Sequence, residues 1–366
     1  MARQRKIKRY NYGSLSMRRR RGRWLKVLLF ILLLGGLTFL GYCVAKSLGD
    51  LQNRPEPESS LPESSLVSEI VPPDDPSSAP ESSAPAAEEE EIRAAVMPAA
   101  DAADPARAAT FLASLDETLY NTVVVELKSS DGVLAYQSAV PLAATCGAIS
   151  SSAMTMDELE SLAAAIEEAG FTPAAWLYTL EDDVASHATY ETSYLYENQT
   201  GVTWLDQAAD QGGRSWLNPY MPAAREYLSA IAGEVAEAGF AQIFAAGLQY
   251  PDTRYPQQMG YGPYQDTMTL TEALQAALDE MVSAAARYDA EVIPVYAGEG
   301  YLGEADDLYG GSPAAITAEK VSVILPEGRE SAVLAAIPDT EALIPVVGES
   351  QLAALETADI RQYLVQ

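Results

Sequence analysis

The sequence predicts an α/β domain, a (β/α)8 TIM-like barrel, preceded by a single transmembrane helix and a disordered linker. Three observations carry this. Eight short apolar runs alternate with helical periods after residue 92, two of the helices end in the same glycine signal directly before a strand, and the basic residues gather ahead of one long uncharged stretch.

The charge distribution comes first along the chain. The 366 residues hold 23 Lys+Arg against 52 Asp+Glu, for a net charge of −29. Residues 1–46 contain 12 basic groups and no acid, so the other 320 carry 11 basic groups and all 52 acids. Phosphate binding needs a basic face, which excludes a nucleic-acid partner for the acidic part. Residues 27–45, VLLFILLLGGLTFLGYCVA, form 19 residues without a charge, enough at about 1.5 Å per residue to cross a hydrocarbon core of roughly 30 Å. A cleaved signal peptide has a shorter apolar core of about 7–15 residues and a small-x-small site. The expectation is therefore a basic cytoplasmic segment at 1–26 and a membrane span at 27–46, with the lipid bilayer as partner. The positive-inside rule then leaves the N-terminus in the cytoplasm and the C-terminal domain outside the cell.

Residues 47–91 contain eight prolines, twelve acids and one basic residue, Arg54. Such a composition buries too little apolar area to offset the entropy of ordering, and predicts a solvated Pro/Ser/Glu-rich linker. Cys146 is the one cysteine beyond the span, so the domain at 92–366 relies on a hydrophobic core, with no intrachain disulfide.

Candidate strands are 92–98, 122–128, 173–180, 241–249, 290–297, 320–325, 342–347 and, most weakly patterned, 360–365. Thr155 with Glu158, and Thr269 with Glu272, read as capping boxes opening helices. Glu168-Ala169-Gly170-Phe171 and Glu237-Ala238-Gly239-Phe240 read as helix ends in which glycine takes the left-handed position. Repeated βα units mean parallel strands, in a barrel or a doubly wound sheet; eight strands favour the barrel.

Several chemistries are missing. His187 is the only histidine, in a polar stretch with no serine elbow nearby, and no Walker, HExxH or CxxC pattern occurs. No metal site and no cofactor are expected. Gly298 to Gly303 match GxGxxG formally, but acids follow where a pyrophosphate would need a helix N-terminus. Carboxylate and aromatic chemistry remains. A barrel exposes the residues after its strand ends, here Glu126, Asp131, Glu181 to Asp183, Asp252, Glu299, Glu327 and Glu349. Glu126 stands inside an apolar strand, so partial burial and a raised pKa are expected, suiting a general acid; alternation aims Lys128 to the same side, as a partner that would instead make the pair structural. Trp176, Tyr178, Trp204, Trp216, Tyr220 and Tyr250 fall near the same loops, either as platforms for sugar faces or as ordinary packing.

Val124-Val125-Glu126-Leu127-Lys128, Asp131-Gly132 through Tyr136-Gln137-Ser138, Leu180-Glu181-Asp182, Trp216-Leu217-Asn218-Pro219-Tyr220 and the run from Gly239 to Pro251 follow one order and spacing. They resemble the bacterial "putative glycosyl hydrolase" family with a TIM-barrel domain, whose strands read V-I-D-V-K, F-K-D and G-F-D-E-I-Q-F-D-Y-V-R-F-P with W-x-N-P-Y between. The resemblance runs from about residue 92 to 251. It implies a barrel acting on a polysaccharide, with Asp182 and Asn218 in the binding region beside the aromatics. Departures accompany it: Ala246 stands in place of the family's acid, Gln249 in place of an arginine, and Trp176 in place of a third-strand arginine. Glycoside hydrolysis ordinarily uses two carboxyl groups. Glu126 with Glu299, past the fifth strand, is the expected pair, and engagement of a cell-wall glycan with reduced or lost catalysis is the expected function. The alternative is a non-enzymatic scaffold or interaction module of the envelope.

Overall fold

The computed structural model describes residues 91–366, so the expected cytoplasmic segment, membrane span and nearly all of the linker lie outside the described residues. Among the described residues no helix is long and apolar enough to cross a membrane.

Eight parallel strands form the wall of a closed barrel: β1 (Arg93–Met97), β2 (Thr122–Lys128), β3 (Thr172–Tyr178), β4 (Gln242–Ala246), β5 (Glu291–Ala297), β6 (Val321–Ile324), β7 (Leu343–Val347) and β8 (Tyr363–Val365). Each pairs with the next, and β8 returns to β1 with Arg93 opposite Tyr363. All eight runs marked in the sequence are strands, including the weak last one. Its three residues suffice because they are paired on both edges, by β7 and β1.

Helices cover the wall: α1 (Pro105–Ser114), α2 (Met156–Glu168), α3 (Pro222–Glu237), α4 (Leu270–Ala285), α5 (Asp306–Tyr309), α6 (Glu330–Ala336) and α7 (Leu352–Thr357). Both predicted capping boxes are present, on α2 and α4. Gly170 and Gly239 take the positive φ that the shared helix-end motif requires. The connections are long on the β3 and β4 sides, where α3 and α4 are full-length, and short after β5, where the helix shrinks to one turn.

Two apolar layers result. Alternate strand residues point inward, and Val124, Ala174, Trp176, Phe244, Ala246, Ile293, Val295, Ile344, Val346 and Leu364 fill the barrel. The other parity packs against α1 to α4 in the largest core. One addition departs from the plain barrel. After β2 the chain folds back as Leu134–Tyr136, antiparallel to β2, and Ile149–Met154 pairs with that segment, extending the sheet beyond the wall. Glu234 of α3 holds this extension: its carboxylate accepts from Tyr136 Oη at 3.2 Å, Ser138 Oγ at 2.5 Å and the Ala139 amide at 2.7 Å. The Tyr-x-Ser element is thus an anchor point for the hairpin.

Candidate active site

The C-terminal ends of β2 and β3 build the centre of the barrel mouth. Glu126 faces inward on β2, opposite Trp176 in the register with β3. It is exposed rather than partly buried, because the wall at this level opens to the mouth. The protein around it still removes enough water to raise its carboxyl above the ordinary 4.5. Lys128 does not share its side. The register shifts between Glu126 and Lys128, a bulge that breaks the alternation and turns Lys128 through to the outer layer. There its ammonium is fully buried, 2.8 Å from Asp182 Oδ2, and donates to the carbonyls of Tyr178 at 2.7 Å and Thr179 at 3.4 Å.

Tyr178, the last residue of β3, is half-buried within the mouth. Burial first, then the charges of Glu126 and Glu181, push its hydroxyl above the ordinary range. Its ring meets Trp176 edge-on at 6.1 Å, and Trp176 in turn stacks on Phe244 of β4 at 6.3 Å. Glu181 follows three residues on, and its Oε1 is ion-paired to Arg214 Nη2; Arg214 Nη1 also donates to Asp131 Oδ1 at 2.9 Å. Gly247, at the end of β4, has φ +64, and a Cβ there would lie 3.3 Å from Glu181 Cβ and 3.5 Å from Tyr178 Cδ1. Glycine at this point lets the two side chains reach the rim together. The resulting cluster of Glu126, Tyr178, Glu181, Arg214 and Asp131 spans the loops after β2 and β3 and the long connection from β3 to α3.

Glu299 lies in the turn Gly298–Leu302 after β5, partly exposed. Its charge reaches Tyr309 and Arg329. Tyr309 Oη donates to Gln249 Oε1 at 3.2 Å and accepts from the Ala297 amide at 3.0 Å, which fixes Gln249 beside the β5 end. Strands β3 and β4 stand between the Glu126 and Glu299 positions. Ala246 is buried in the barrel lining.

Trp176 is buried in the barrel lining, and Asp182, Trp204, Trp216, Asn218, Tyr220 and Tyr250 are likewise inside the protein, not on the mouth surface. Asp182 is fully buried: besides the Lys128 ion pair, its Oδ1 caps the helix Asp183–Ala188 by accepting from the Ala185 amide at 2.7 Å. Trp204 is also fully buried and meets Tyr194 edge-on at 6.2 Å. Tyr220, Tyr250 and Tyr194 each contact the ring of Tyr261, at 5.4, 6.0 and 5.6 Å. Tyr250 Oη further donates to the Leu270 carbonyl at 2.8 Å. Trp216 Nε1 donates to Asp206 Oδ2 at 3.0 Å, and Asn218 Nδ2 donates to the Tyr261 carbonyl at 2.9 Å. These rings pack against one another because the long β3–α3 and β4–α4 connections share a core of their own. The W-x-N-P-Y element ties it down: the Leu217 amide donates to the Leu180 carbonyl at 2.9 Å before Pro222 opens α3. Of the eight expected binding residues, Trp176 and Tyr178 share the inward face with Glu126.

The described residues contain no group of three or more His, Cys, Asp or Glu side chains arranged to hold a metal ion. The formal GxGxxG run is the short turn after β5, where a Cβ on Gly298 would come within 2.8 Å of the Ile324 carbonyl. Gly298 and Gly300 serve close packing, and Gly303 takes a φ of +71.

The sequence pattern of a family described as "putative glycosyl hydrolase domain" matches residues 94–326. The chain belongs to this family. The matched region takes in β1 to β6 and every residue of the mouth cluster. Among solved structures, the glycoside hydrolase domain of PgaB (BpsB) from Bordetella bronchiseptica is similar over 76% of this chain and 93% of its own, with 14% identity and a TM-score of 0.56. A hypothetical protein from Ruminiclostridium thermocellum ATCC 27405 is similar over 52% of this chain and 91% of its own, with 21% identity and a TM-score of 0.43. A Flavobacterium johnsoniae chitobiase is similar over 75% of this chain and 44% of its own, with 12% identity and a TM-score of 0.49. No curated protein matches the chain. At 14% identity the likeness to the Bordetella domain concerns the fold.

In this family member, Arg214 is the mouth residue that sequence reasoning did not single out. It precedes the W-x-N-P-Y element by two positions, and a basic residue among few in an acidic domain was the available signal. Glu181 was visible as a strand-end acid, but only the ion pair with Arg214 and the shared approach to Tyr178 separate it from its neighbours Asp182 and Asp183.

Proposed function

We propose that this glycosyl hydrolase family member is anchored in the membrane by residues 27–46, presents its barrel outside the cell, and engages a cell-envelope polysaccharide at the barrel mouth with reduced catalysis. The observation that carries the reading is Glu126: an inward-facing, solvent-reachable carboxyl of raised pKa beside Trp176 and Tyr178. A raised pKa suits proton donation to a glycosidic oxygen, and the half-buried Tyr178 ring, backed by the buried Trp176, offers a flat apolar face to a sugar. The reduced catalysis rests on the β4 end, where Ala246 supplies no carboxyl and Gln249 no charge. Hydrolysis needs a second carboxyl about 5–5.5 Å away for retention or roughly 6.5–9.5 Å for inversion. Glu299, across the mouth on the β5 turn, is the partner the sequence suggests. A second reading, a barrel kept as a non-enzymatic envelope scaffold, draws on the same buried, apolar Ala246.

The test uses the full-length chain in mild detergent, incubated with purified cell wall and with soluble chito-oligosaccharide, β-glucan and xylan. Retention on at least one glycan, weakened at least tenfold by Tyr178→Ala, is expected. Release of reducing ends should be slow and should vanish in Glu126→Gln. Binding to none of these would refute glycan engagement and favour the scaffold reading.

A further inference from the structure

The second carboxyl can be assigned on geometry rather than on chain order. We infer that Glu181, positioned by Arg214, acts as the general base opposite Glu126 in the residual hydrolysis of a glycosidic bond. The inference rests on the reading of the mouth as a glycan site.

Three observations carry it. Glu126 and Tyr178 sit on adjacent paired strands, and both face the barrel interior. Glu181 and Tyr178 converge on Gly247, whose missing Cβ leaves the space both use. The ion pair to Arg214 engages Oε1 of Glu181, leaving Oε2 to take a proton, and the side chain is 19% exposed, so water reaches it. Arg214 is itself oriented by Asp131, so its guanidinium is held between two carboxylates and fixes Glu181 Oε1. Arg214 is the charged group paired with Glu181, with Asp131 behind it, and Tyr178 is the titratable group on which both Glu181 and Glu126 act.

The step balances. Protonated Glu126 gives its proton to the glycosidic oxygen, which keeps the bonding pair as its bond to the anomeric carbon breaks. A water oxygen bonds to that carbon, and Glu181 accepts the proton the water loses. One water is consumed per bond, and exchange with solvent restores both carboxyls.

The full-length chain, with the probes named above, separates this from the parent reading. Glu181→Gln should lower reducing-end release at least a hundredfold while glycan retention stays within threefold of wild type. Arg214→Met should lower reducing-end release at least tenfold while glycan retention stays within threefold of wild type, and Arg214→Lys should restore part of the release. Unfolding curves confirm that each variant is folded. Release unchanged in Glu181→Gln, or lost instead in Glu299→Gln, overturns the inference and leaves glycan binding standing; so does wild-type binding without any release. Absence of binding overturns the parent reading.

Discussion

Replacing Lys128 by methionine tests whether the support beneath the mouth is what the structure makes it. The ammonium and the Asp182 carboxylate are both 0% exposed and 2.8 Å apart. Methionine fills nearly the same space but leaves the carboxylate buried without its counter-charge, and the Tyr178 and Thr179 carbonyls without their donor. Breaking a buried pair from one side costs about 3–5 kcal/mol, and the two carbonyls lie within that figure because the same ammonium serves all three. Solvent screening does not reduce it, since neither group reaches water. In urea unfolding followed by tryptophan fluorescence, Lys128→Met should lower the midpoint by the equivalent of about 3–5 kcal/mol with little change in slope. Adding Asp182→Asn should restore more than half of that loss. Asparagine carries no charge to strand, and its side-chain oxygen can still accept from the Ala185 amide that Asp182 Oδ1 now caps. A single variant within about 1 kcal/mol of wild type, or a double variant no better than the single, would refute the claim that the pair is a dry electrostatic clamp between β2 and β3.

Three further outcomes follow from the same packing. Gly132→Ala should lose at least about 1–3 kcal/mol in the same unfolding assay, because its φ of +91 disfavours a side chain and a Cβ would lie 2.0 Å from Asp182 Oδ1. Trp204→Ala should cost about 3–5 kcal/mol as a cavity in the aromatic core, with the fall in glycan retention no larger than the fall in folded fraction; a stable variant that loses binding would return Trp204 to the surface role. Glu126→Gln should be more stable than wild type at neutral pH and equal to it below pH 4. With a folded pKa raised above 4.5, wild type gives up stability as pH rises through that window, because the shielded carboxylate must ionise in the folded state, and glutamine removes the penalty. A constant difference across pH 3–7 would contradict it.

The barrel was legible because its signals are local and repeated. Apolar runs such as Val123-Val124-Val125 and the 343–347 strand, two capping boxes and two glycine helix ends all act within a few residues, and each is present where the sequence places it. The site was less legible. Strand alternation puts Glu126 and Lys128 on one side, but a single bulge separates them, and nothing in the residues around Leu127 announces it. Trp204, Trp216, Tyr220 and Tyr250 read equally well as a sugar platform or a core; their burial depends on how the β3–α3 and β4–α4 connections pack on each other, which is a matter of contacts between residues far apart in the chain.

What the sequence by itself determined is therefore the family, the parallel βα repeat and Glu126 as the acid inside an apolar strand, since period, caps and strand position are properties of neighbouring residues. The tertiary structure alone decided which acids share the mouth. It buried Asp182 against Lys128, placed the adjacent Glu181 at the rim against Arg214, and set Glu299 two strands farther round the wall than β3. The physical reason is that a carboxyl's role depends on desolvation and on the nearest opposite charge. Both are supplied by residues dozens of positions away, Lys128 for Asp182 and Arg214 for Glu181, and only the closed barrel brings them within reach.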